Sequence, residues 1–432
     1  MAAYSGKDTS MFSLPRGTQD ILPQDQPYWR YVQEVAGELC RLFAYRRVDT
    51  PVFEETALFV RTVGEGTDIV DKEMYAFQDK AGAGLTLRPE GTAPVCRAYI
   101  QHGMHSLPQP VKLYYFAPIF RYDRPQAGRY RQHHQFGYEA IGEADPALDA
   151  EVIDLAWRLY AGLGLAGLSL ELNSIGDRSC RPAYLEALVD YYRPLAGHLC
   201  KDCQARLERN PLRLLDCKRE QCQPYAEAAP RSAESLCSDC LEHFESLQRS
   251  LSRQGIPFHL NHRLVRGLDY YTRTVFEVQP REEGAQSTIG GGGRYDGLIE
   301  QLGGRPTPAV GFATGIERII LNLKRQGVEI PAEAETQVFV SYAGDVAKEQ
   351  ALDLMARLRR EGIPAASAFD RKSLKSQLRQ ADARGARFAL ILGEDELRDG
   401  AVTLREMEGG RQERIEVGKL MEELKWRVFG KS

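Results

Sequence analysis

The first third of the chain shows two periodicities of apolar residues. A spacing of three or four predicts a helix over residues 26–43, whose apolar positions are Val32, Val35, Leu39 and Phe43. A spacing of two predicts strands over residues 111–121 and 132–141. The polar loop between these strands contains Gly128, so the two strands are predicted to form an antiparallel hairpin.

Two shorter segments between the helix and the hairpin also have strand character. Residues 45–54 contain Pro51, and proline cannot donate a hydrogen bond to a neighbouring strand. We therefore expect this strand at the edge of a sheet or at an interface. Residues 85–93 predict a short strand followed by the first turn of a helix near Thr92.

The middle of the chain changes character abruptly. A helix over residues 147–163 and an alternating strand over residues 168–173 continue the earlier pattern. Residues 178–257 are instead charged, rich in cysteine and interrupted by prolines, which predicts an inserted helical module. The core pattern resumes at residues 258–261 and ends with a strand that runs into a helix over residues 308–320.

The last quarter is predicted to be a separate domain. Residues 326–335 have the composition of a linker. After the linker, strands over residues 338–342, 366–369 and 387–392 alternate with amphipathic helices, which is typical of a small α/β domain.

Composition places the chain among ordinary globular proteins. Its 432 residues correspond to two or three domains, with 43% hydrophobic and 27% charged residues. The formal net charge of −4 gives no overall basic signal, so any contact with nucleic acid would depend on local patches. The sequence has no apolar run near the ~20 residues of a membrane helix. Its first residues carry no secretion or organelle signal, so we expect a cytoplasmic protein without a membrane partner.

Six of the nine cysteines lie between residues 200 and 240. Structural disulfides are not expected in a cytoplasmic chain, whereas Cys-x-x-Cys pairs suggest a metal site. Cys200 and Cys203 with Cys237 and Cys240 would suit a structural zinc ion, and Cys217 and Cys222 could complete or compete with that set. The alternative is a helical module that carries free thiols. The sequence leaves both interpretations open.

Residues 264–278 are the most informative stretch for function. They combine Arg266 and the adjacent pair Tyr270 and Tyr271 with the start of an alternating strand. The guanidinium group binds carboxylate or phosphate, and the tyrosines provide ring walls tipped with hydroxyls. The glycine run at residues 290–297 lets the backbone approach a ligand closely, although a flexible loop has the same composition. These stretches predict a small-molecule pocket with an anionic component.

Motifs elsewhere in the chain resemble those of the bacterial-type histidyl-tRNA synthetases, which are class II aminoacyl-tRNA synthetases. The strand with Pro51 resembles class II motif 1, residues 120–139 resemble motif 2, and residues 311–318 resemble motif 3. Residues 264–278 and 290–297 resemble the two histidine-specific signatures of the family. The long motif 2 and the 264–278 stretch are the most specific of these similarities.

The resemblance covers roughly residues 13–430 and implies an α+β fold. The family has a class II antiparallel sheet flanked by helices, a helical insertion and a C-terminal α/β anticodon-binding domain. The boundaries expected here are a catalytic core over residues 1–177 and 258–325, the insertion over 178–257, a linker over 326–335 and an anticodon-binding domain over 336–432.

The activity that the resemblance implies is ATP-dependent ligation of L-histidine to its tRNA through histidyl-adenylate, with release of AMP and pyrophosphate. ATP would act with Mg²⁺, which together with arginines can stabilise the charge of the phosphates. A homodimer formed through motif 1 is also implied.

The family's site residues carry over to matching positions of this sequence. Arg121 and Arg266 are expected to act at the α-phosphate as the catalytic arginines, with Arg266 also near the substrate carboxylate. ATP binding is expected of Arg121, Asp123 and Arg318. Histidine binding is expected of Glu90, Gly91, Thr92, Arg121, Gln135, Glu139, Arg266, Tyr270 and Tyr271, with Glu139 and Tyr271 serving the two ring nitrogens. Motif 2 usually has Glu where this chain has Asp123, and the shorter side chain leaves its reach to adenine open.

Two groups of basic residues are candidates for tRNA contact. Arg124, Arg129 and Arg131 lie in the loop of motif 2, beside the expected reactive centre. In the last domain, Arg371, Lys375 and Arg379 recur every four residues and share one helix face, which could bind the anticodon stem through its phosphates. A solvated helix face has the same pattern.

Two other functions fit parts of the pattern. The family has a paralogue that lacks catalysis and serves as a histidine-sensing regulatory subunit of ATP phosphoribosyltransferase. That paralogue lacks both the arginine-bearing signature and the C-terminal domain, whereas this chain has both. A synthetase for another amino acid is disfavoured by Tyr270 and Tyr271 together with Glu139.

Overall fold

The computed structural model of the chain describes residues 12–64, 67, 69–124, 128–281, 288–331, 336–369 and 372–430. The chain divides into two compact units between Ile330 and Pro331. None of the helices formed by the described residues is both long and apolar enough to cross a membrane.

An eight-stranded sheet forms the centre of the first unit. The strands of this unit are β1 (Arg46–Arg47), β2 (Phe53–Glu55), β3 (Tyr75–Gln78), β4 (Gly84–Leu87), β5 (Val111–Phe120), β6 (Gln132–Ile141), β7 (Leu168–Ser174), β8 (His259–Leu260), β9 (Thr272–Pro280), β10 (Gly290–Arg294) and β11 (Ala309–Gly315). The sheet order is β1-β5-β6-β11-β10-β9-β7-β8. Its inner pairings are antiparallel, and only the outermost pairs β1/β5 and β7/β8 are parallel. The expected antiparallel sheet is confirmed.

Helices cover this sheet and extend from one end of it. They are α1 (Gln26–Leu42), α2 (Thr56–Val63), α3 (Thr92–Gln101), α4 (Pro146–Gly162), α5 (Arg181–Tyr192), α6 (Lys201–Arg209), α7 (Gln223–Glu227), α8 (Ser238–Arg253), α9 (Leu298–Gln301) and α10 (Ile316–Gln326). Apolar residues of α1, α4, α8 and α10 form one core with the sheet, in which the Phe276 and Phe312 rings stack 5.9 Å apart. Burying this apolar surface is the main favourable contribution to folding of the unit.

Alternation along β6 separates the core from the functional face. Phe136 and Tyr138 point into the helix-covered core. Gln135 and Glu139 occupy the alternate positions and line a cavity on the other face. The β5–β6 hairpin pairs Val111 with Ile141 and Phe120 with Gln132, as the sequence predicts.

The strand predicted over residues 45–54 is interrupted. It forms β1 and β2, which belong to different sheets, because β2 pairs with β4 in a separate three-stranded sheet of order β2-β4-β3. Pro51 lies in the break, where its missing N–H disrupts no strand pairing. The expectation of one continuous strand is therefore wrong, although the expected placement at a sheet edge holds for both β1 and β2.

The glycine run forms an interior strand, not a loop. β10 lies between β9 and β11, and all five of its residues are buried. A Cβ atom on Gly291 would lie 2.6 Å from Nη1 of Arg266, so only glycine leaves this guanidinium group its space. Glycine is needed here because another group comes close to the backbone, and that group is the Arg266 side chain of the protein itself.

Helices, turns and irregular segments connect β7 to β8 within the continuously described stretch 128–281. Helix α8 returns to the sheet and packs Phe244 and Leu247 into the main core. The preceding helices form a second cluster in which Cys203, Cys217 and Cys222 are buried. The predicted helical character of the insertion agrees with this arrangement.

The second unit contains a five-stranded mixed sheet. Its elements are β12 (Val338–Tyr342), α11 (Asp345–Arg360), β13 (Ala365–Ser367), α12 (Leu374–Ala383), β14 (Phe388–Leu392), α13 (Glu394–Arg398), β15 (Ala401–Glu406), β16 (Gln412–Glu416) and α14 (Leu420–Phe429). The predicted β-α-β-α-β part forms the parallel strands β13, β12 and β14. The antiparallel strands β15 and β16 and the helices α13 and α14 were not predicted. Strand β16 has Ile415 as its only apolar residue, whereas the alternation of Val402 and Leu404 in β15 was a usable signal.

Candidate active site

A cavity of about 810 Å³ opens on the face of the large sheet away from α1 and α4. Residues of β6, β9, β10 and β11 line it, together with the segments before α3 and around the motif 2 loop. Among its lining residues are most of the predicted ligand-binding residues: Glu90, Thr92, Arg121, Asp123, Arg129, Gln135, Glu139, Arg266, Tyr270, Tyr271 and Arg318.

Glu139 is buried at the end of this cavity among three hydroxyl groups. The Thr92 hydroxyl donates to Oε1 over 2.8 Å and the Tyr115 hydroxyl over 3.3 Å, while Tyr295 donates to Oε2. Burial raises the pKa of Glu139 to about 8, although these hydrogen bonds oppose the shift. The carboxyl group is therefore mostly protonated at neutral pH when no ligand is bound.

Glu90 is a second buried carboxylate, and it organises the start of α3. Its two oxygens accept from the backbone N–H groups of Thr92, over 2.7 Å, and of Ala93, over 2.8 Å. Burial raises its pKa, against the effect of these hydrogen bonds and of Arg121. Gly91, another predicted ligand residue, is the N-cap of α3 and is not among the described residues that line the cavity.

The tyrosine pair and Arg266 form a connected wall. The rings of Tyr270 and Tyr271 lie 4.8 Å apart, and the Arg266 guanidinium carbon lies 5.9 Å from the centre of the Tyr271 ring. Arg266 forms an ion pair with Glu277, which also accepts from the Thr288 hydroxyl. The Nε atom of Arg266 is buried without a hydrogen-bond partner among the described residues. This group retains unused capacity to donate to an anion.

Arg121 and Arg318 add two further guanidinium groups to the same cavity. Arg121 donates to the Pro89 carbonyl over 2.7 Å, and Arg318 donates to the carbonyls of Gly128 and Thr288 over 3.1 and 2.6 Å. Burial and the positive charges of Arg129 and Arg121 lower the pKa of Arg318. A positive potential of this kind favours a polyanionic ligand.

The protonation of His133 is affected by the same positive charges. It lines the cavity, and burial together with the charges of Arg121 and Arg318 lowers its pKa to about 3. The imidazole is therefore neutral at any physiological pH and is not a general acid of the site.

The basic residues predicted to contact tRNA are distributed more widely. Arg129 lines the cavity and its Nη1 lies 3.5 Å from Oδ2 of Asp123, whereas the Arg131 guanidinium stacks over the Tyr122 ring at 3.7 Å. Arg124 is exposed outside the cavity lining. Lys375 and Arg379 are exposed on α12 of the second unit, and Arg371 lies outside the described residues.

Three functional candidates were not named from the sequence, although Tyr295 and Glu277 lie within the 290–297 and 264–278 signatures. Tyr115 and Tyr295 donate hydroxyl groups to Glu139, and Glu277 pairs with Arg266. Tyr115 is on the same face of the β5–β6 hairpin as Glu139, which the predicted alternation and register could have indicated. Tyr295 and Glu277 depend on β9 pairing with β10, which the sequence did not predict.

The cysteines assemble differently from the predicted pairing. Cys200 and Cys203 lie with Cys217 and Cys222, whereas Cys237 and Cys240 lie with Asp177 and Cys180. The expected set of Cys200, Cys203, Cys237 and Cys240 is therefore wrong. Sequence spacing cannot decide which helix ends meet, and Asp177 was not considered because it precedes the cysteine-rich segment.

These arrangements define what the cavity can do. Three guanidinium groups can bind a polyanion, while a buried carboxyl group, hydroxyls and tyrosine rings can enclose a small ligand with polar N–H groups. Both features occur in one continuous space. A reaction between such a ligand and a phosphate compound is consistent with this chemistry.

Two protein-family models and several named relatives match this chain. The family model described as "Histidyl-tRNA synthetase" matches residues 17–178 and 200–319, and the model described as "Anticodon binding domain" matches residues 337–427. A histidine–tRNA ligase of Dehalococcoides mccartyi is 62% identical over 418 residues, which cover 97% of this chain and all of the relative. A histidine–tRNA ligase of Desulforudis audaxviator is 52% identical over 96% of this chain and 99% of the relative.

Two solved structures resemble this chain over most of its length. The apo histidyl-tRNA synthetase of S. aureus has a TM-score of 0.82 at 41% identity, with 96% of this chain and all of that chain covered. A protein from Bacillus halodurans named as an ATP phosphoribosyltransferase regulatory subunit/histidyl-tRNA synthetase has a TM-score of 0.63 at 22% identity, covering 89% of this chain and 98% of that chain. The second likeness shows the fold alone.

Proposed function

The chain belongs to the histidyl-tRNA synthetase family, and from this premise we propose that it joins L-histidine to its tRNA through histidyl-adenylate. In the first step the histidine carboxylate attacks the α-phosphate of ATP and releases pyrophosphate. In the second step the terminal ribose of the tRNA takes the histidyl group and releases AMP. The observation that carries the proposal is the joint presence of Glu139 and the three arginines in one cavity.

The arginines are proposed to supply the charge stabilisation for the first step. Phosphoryl chemistry depends chiefly on positioning and on stabilising negative charge. Arg121 and Arg266 are assigned to the α-phosphate and Arg318 to the γ-phosphate. The unpartnered Nε of Arg266 supports its role, because an incoming phosphate or carboxylate oxygen would satisfy that buried donor. Asp123 is assigned to the nucleotide and lines the same cavity.

Glu139 and Tyr271 are proposed to bind the two ring nitrogens of histidine. Glu139 accepts an imidazole N–H when ionised, and the Tyr271 hydroxyl serves the other nitrogen. Gln135, Thr92 and Glu90 are assigned to the α-ammonium group, and Tyr270 forms the adjoining wall. Gly91 supports this group through its position at the start of α3. Analogues without ring nitrogens would leave buried polar groups unpaired and would bind poorly.

Magnesium is proposed to enter with ATP, held mainly by phosphate oxygens. The cavity fits this ion to the extent that Glu277 lines it and offers carboxylate oxygen, the ligand type that Mg²⁺ prefers. When bound, Mg²⁺ would neutralise part of the pyrophosphate charge. Glu277 meanwhile holds Arg266 in place through their ion pair.

The tRNA is proposed to contact both units. The candidates in the first unit are Arg124, Arg129 and Arg131, of which Arg129 lines the cavity. In the second unit Lys375 and Arg379 are exposed on α12. The match of residues 337–427 to an anticodon-binding domain supports the second contact. Arg371 is retained as a candidate from the sequence alone. The boundaries 1–177, 178–257, 258–325, 326–335 and 336–432 are kept as the proposed domain organisation.

A homodimer and a cytoplasmic location complete the proposal. The residues around Pro51 carry exposed apolar side chains, including Val52 and Phe53, which would be covered in a dimer formed through motif 1. None of the nine cysteines, all of which the structure describes, is paired in a disulfide, in keeping with a reducing compartment. The regulatory alternative is not favoured, because Arg266 and the C-terminal unit are both present.

An aminoacylation assay tests the proposal. The purified chain is incubated with ATP, Mg²⁺, a mixed bacterial tRNA pool and each of the amino acids in turn. We expect acid-precipitable product with histidine alone, and we expect it to depend on tRNA carrying the histidine anticodon. Histidine binding without any charging of tRNA would instead favour the regulatory alternative.

A further inference from the structure

Two separate four-ligand clusters lie in the segment between β7 and β8. The first contains Cys200, Cys203, Cys217 and Cys222, and the second contains Asp177, Cys180, Cys237 and Cys240. The candidate ligand atoms within each cluster all lie within 4.8 Å of one another. We propose that each cluster binds one structural zinc ion, so that the chain carries two.

The spacing of the sulfur atoms matches a single tetrahedral ion. A zinc ion with bonds of about 2.3 Å to sulfur holds its ligands about 3.8 Å apart. Sγ of Cys200 lies 3.9 Å from Sγ of Cys217, which is far beyond the ~2.0 Å of a disulfide. Clusters of several irons spread their thiolates more widely than one ion does, so zinc fits these dimensions better.

Helix ends bring the thiols together. Cys200 is the N-cap of α6 and Cys203 lies in its first turn, while Cys237 and Cys240 hold the same positions on α8. Each Cys-x-x-Cys pair therefore presents two thiols from one helix start, as in structural zinc sites. In the first cluster the backbone N–H of Cys200 also donates to Sγ of Cys222 over 3.3 Å. Hydrogen bonds of this kind orient the ligands of metal sites.

Burial gives the clusters a further reason to hold metal. Cys203, Cys217, Cys222, Cys180 and Cys240 are all buried. Between Cys200 and Cys237 the helices are short, since α6 has nine residues and α7 has five. A metal ion is one of the usual ways to stabilise such short elements.

The second site is linked to the wall of the active site. Its ligand Asp177 forms an ion pair of 3.2 Å with Arg273, which follows the tyrosine pair. Arg181, one residue after the ligand Cys180, donates to the backbone carbonyls of Gly176 and Tyr271. Zinc at this site would therefore fix the backbone of Tyr271, a statement that rests on the proposed function. The first site reaches the cavity by another route, because Asp216 and Lys218, on either side of its ligand Cys217, line the cavity.

Metal analysis of the full-length chain tests the two sites. Protein produced with zinc in the medium should contain about two zinc ions per chain by plasma mass spectrometry. The double variants Cys203→Ser/Cys217→Ser and Cys237→Ser/Cys240→Ser should each retain about one ion, and the core variant Cys40→Ala should retain two. Less than one ion per chain in the unmodified protein overturns the proposal, and an unchanged content in either double variant overturns that site.

Two further measurements guard against variants that do not fold. Cobalt substitution of the unmodified chain should give the intense charge-transfer absorption of tetrahedral thiolate sites, and a weak octahedral spectrum would contradict the proposal. Among folded variants, Cys237→Ser/Cys240→Ser should raise the KM for histidine about tenfold, whereas the core variant Cys40→Ala should change it little. A KM in Cys237→Ser/Cys240→Ser equal to that of the unmodified chain, with the expected metal contents, would leave two zinc sites but remove the link to Tyr271.

Discussion

The carboxylate of Glu139 lies directly above Gly311 on the neighbouring strand. A Cβ atom on Gly311 would come within 1.7 Å of Oε2 of Glu139 and 3.0 Å of the Tyr138 carbonyl. The first residue of motif 3 therefore provides the space in which the proposed histidine-binding carboxylate sits. Motif 3 is weakly specific as a sequence pattern, but its first glycine has a specific role, which is to leave room for the Glu139 carboxylate.

Replacing Gly311 with alanine should displace that carboxylate. We expect the KM for histidine to rise by at least about tenfold, and the unfolding free energy to fall by about 1–3 kcal/mol, since the added methyl group overpacks the site. Steady-state aminoacylation and urea denaturation measure the two effects. Gly297→Ala is the matched control, because its Cβ atom would meet nothing within 4 Å. An unaltered KM in Gly311→Ala would remove Glu139 from the histidine pocket.

Histidine affinity should increase as the pH rises from 7 to 8. Burial raises the pKa of Glu139 to about 8, so most of the ligand-free protein carries a proton that an imidazole N–H must displace. Free imidazole, with a pKa of about 6.5, is already mostly neutral over this range. We expect the Kd for histidine to fall about fivefold between pH 7 and pH 8, measured by calorimetry, and to level off above about pH 9.

Glu139→Gln provides the control for this pH dependence, because an amide does not titrate. The variant should bind histidine more weakly, and its Kd should be flat over the same interval. A Kd that varies equally in both proteins would assign the dependence to another group.

The buried pair of Arg294 and Asp149 should be a major determinant of stability. The two side chains are fully buried, and Asp149 also accepts from His243 of the insertion over 2.7 Å and from Thr274 over 2.6 Å. Asp149→Asn leaves the guanidinium without its counter-charge, so we expect a loss of about 3–5 kcal/mol in the unfolding free energy by urea denaturation. As a control, Glu38→Gln removes an exposed ion pair with Arg41 and should leave the unfolding free energy unchanged.

The pair of Arg294 and Asp149 also determines how the unfolding free energy changes as the pH falls. Burial alone would raise the pKa of Asp149, but Arg294 and His243 hold it below its ordinary value. Stabilisation is therefore complete above the unfolded pKa of about 4 and is lost as the pH falls through the lower folded value. The stability of Asp149→Asn should be less sensitive to acid over this interval, and equal sensitivity would argue against the pair as its source.

The exposed apolar residues near Pro51 should form part of a dimer interface. The rings of Phe53 and Phe77 lie 6.4 Å apart, and the two residues are 50% and 45% exposed. Phe53→Asp should shift the protein from dimer to monomer in sedimentation velocity at micromolar concentration. Phe369→Asp alters a phenylalanine of the second unit that is 67% exposed and should leave the dimer intact. A monomeric unmodified protein would reject the proposed homodimer.

Periodicity was sufficient to predict the elements that bury one face. Helix α1 and the β5–β6 hairpin have regular apolar spacing over ten residues or more, and both occur at the predicted positions. The strand predicted through Pro51 failed because proline allowed the chain to leave one sheet and enter another. Strand β10 gave no periodic signal at all, because glycine has no side chain to alternate.

The residues of the candidate site also differ in whether the sequence alone could identify them. Residues within recognisable motifs, such as Arg121 and Arg318, could be named from the sequence, and the structure places them in the cavity. Tyr295 and Asp177 act through partners more than fifty residues distant, Glu139 and Cys240, so only tertiary structure brings them together. Their roles follow from strand pairing and helix ends that no local pattern encodes.

Arg266→Ala tests the central claim most directly. Removing this guanidinium should reduce histidine-dependent exchange between ATP and pyrophosphate by about 10²–10³-fold, since it is assigned to the charge that develops at the α-phosphate. Binding of histidine and of ATP, measured separately, should weaken far less, and the exposed variant Arg305→Ala should behave as the unmodified protein. Retained exchange in Arg266→Ala would contradict the assignment of Arg266 as the catalytic cation.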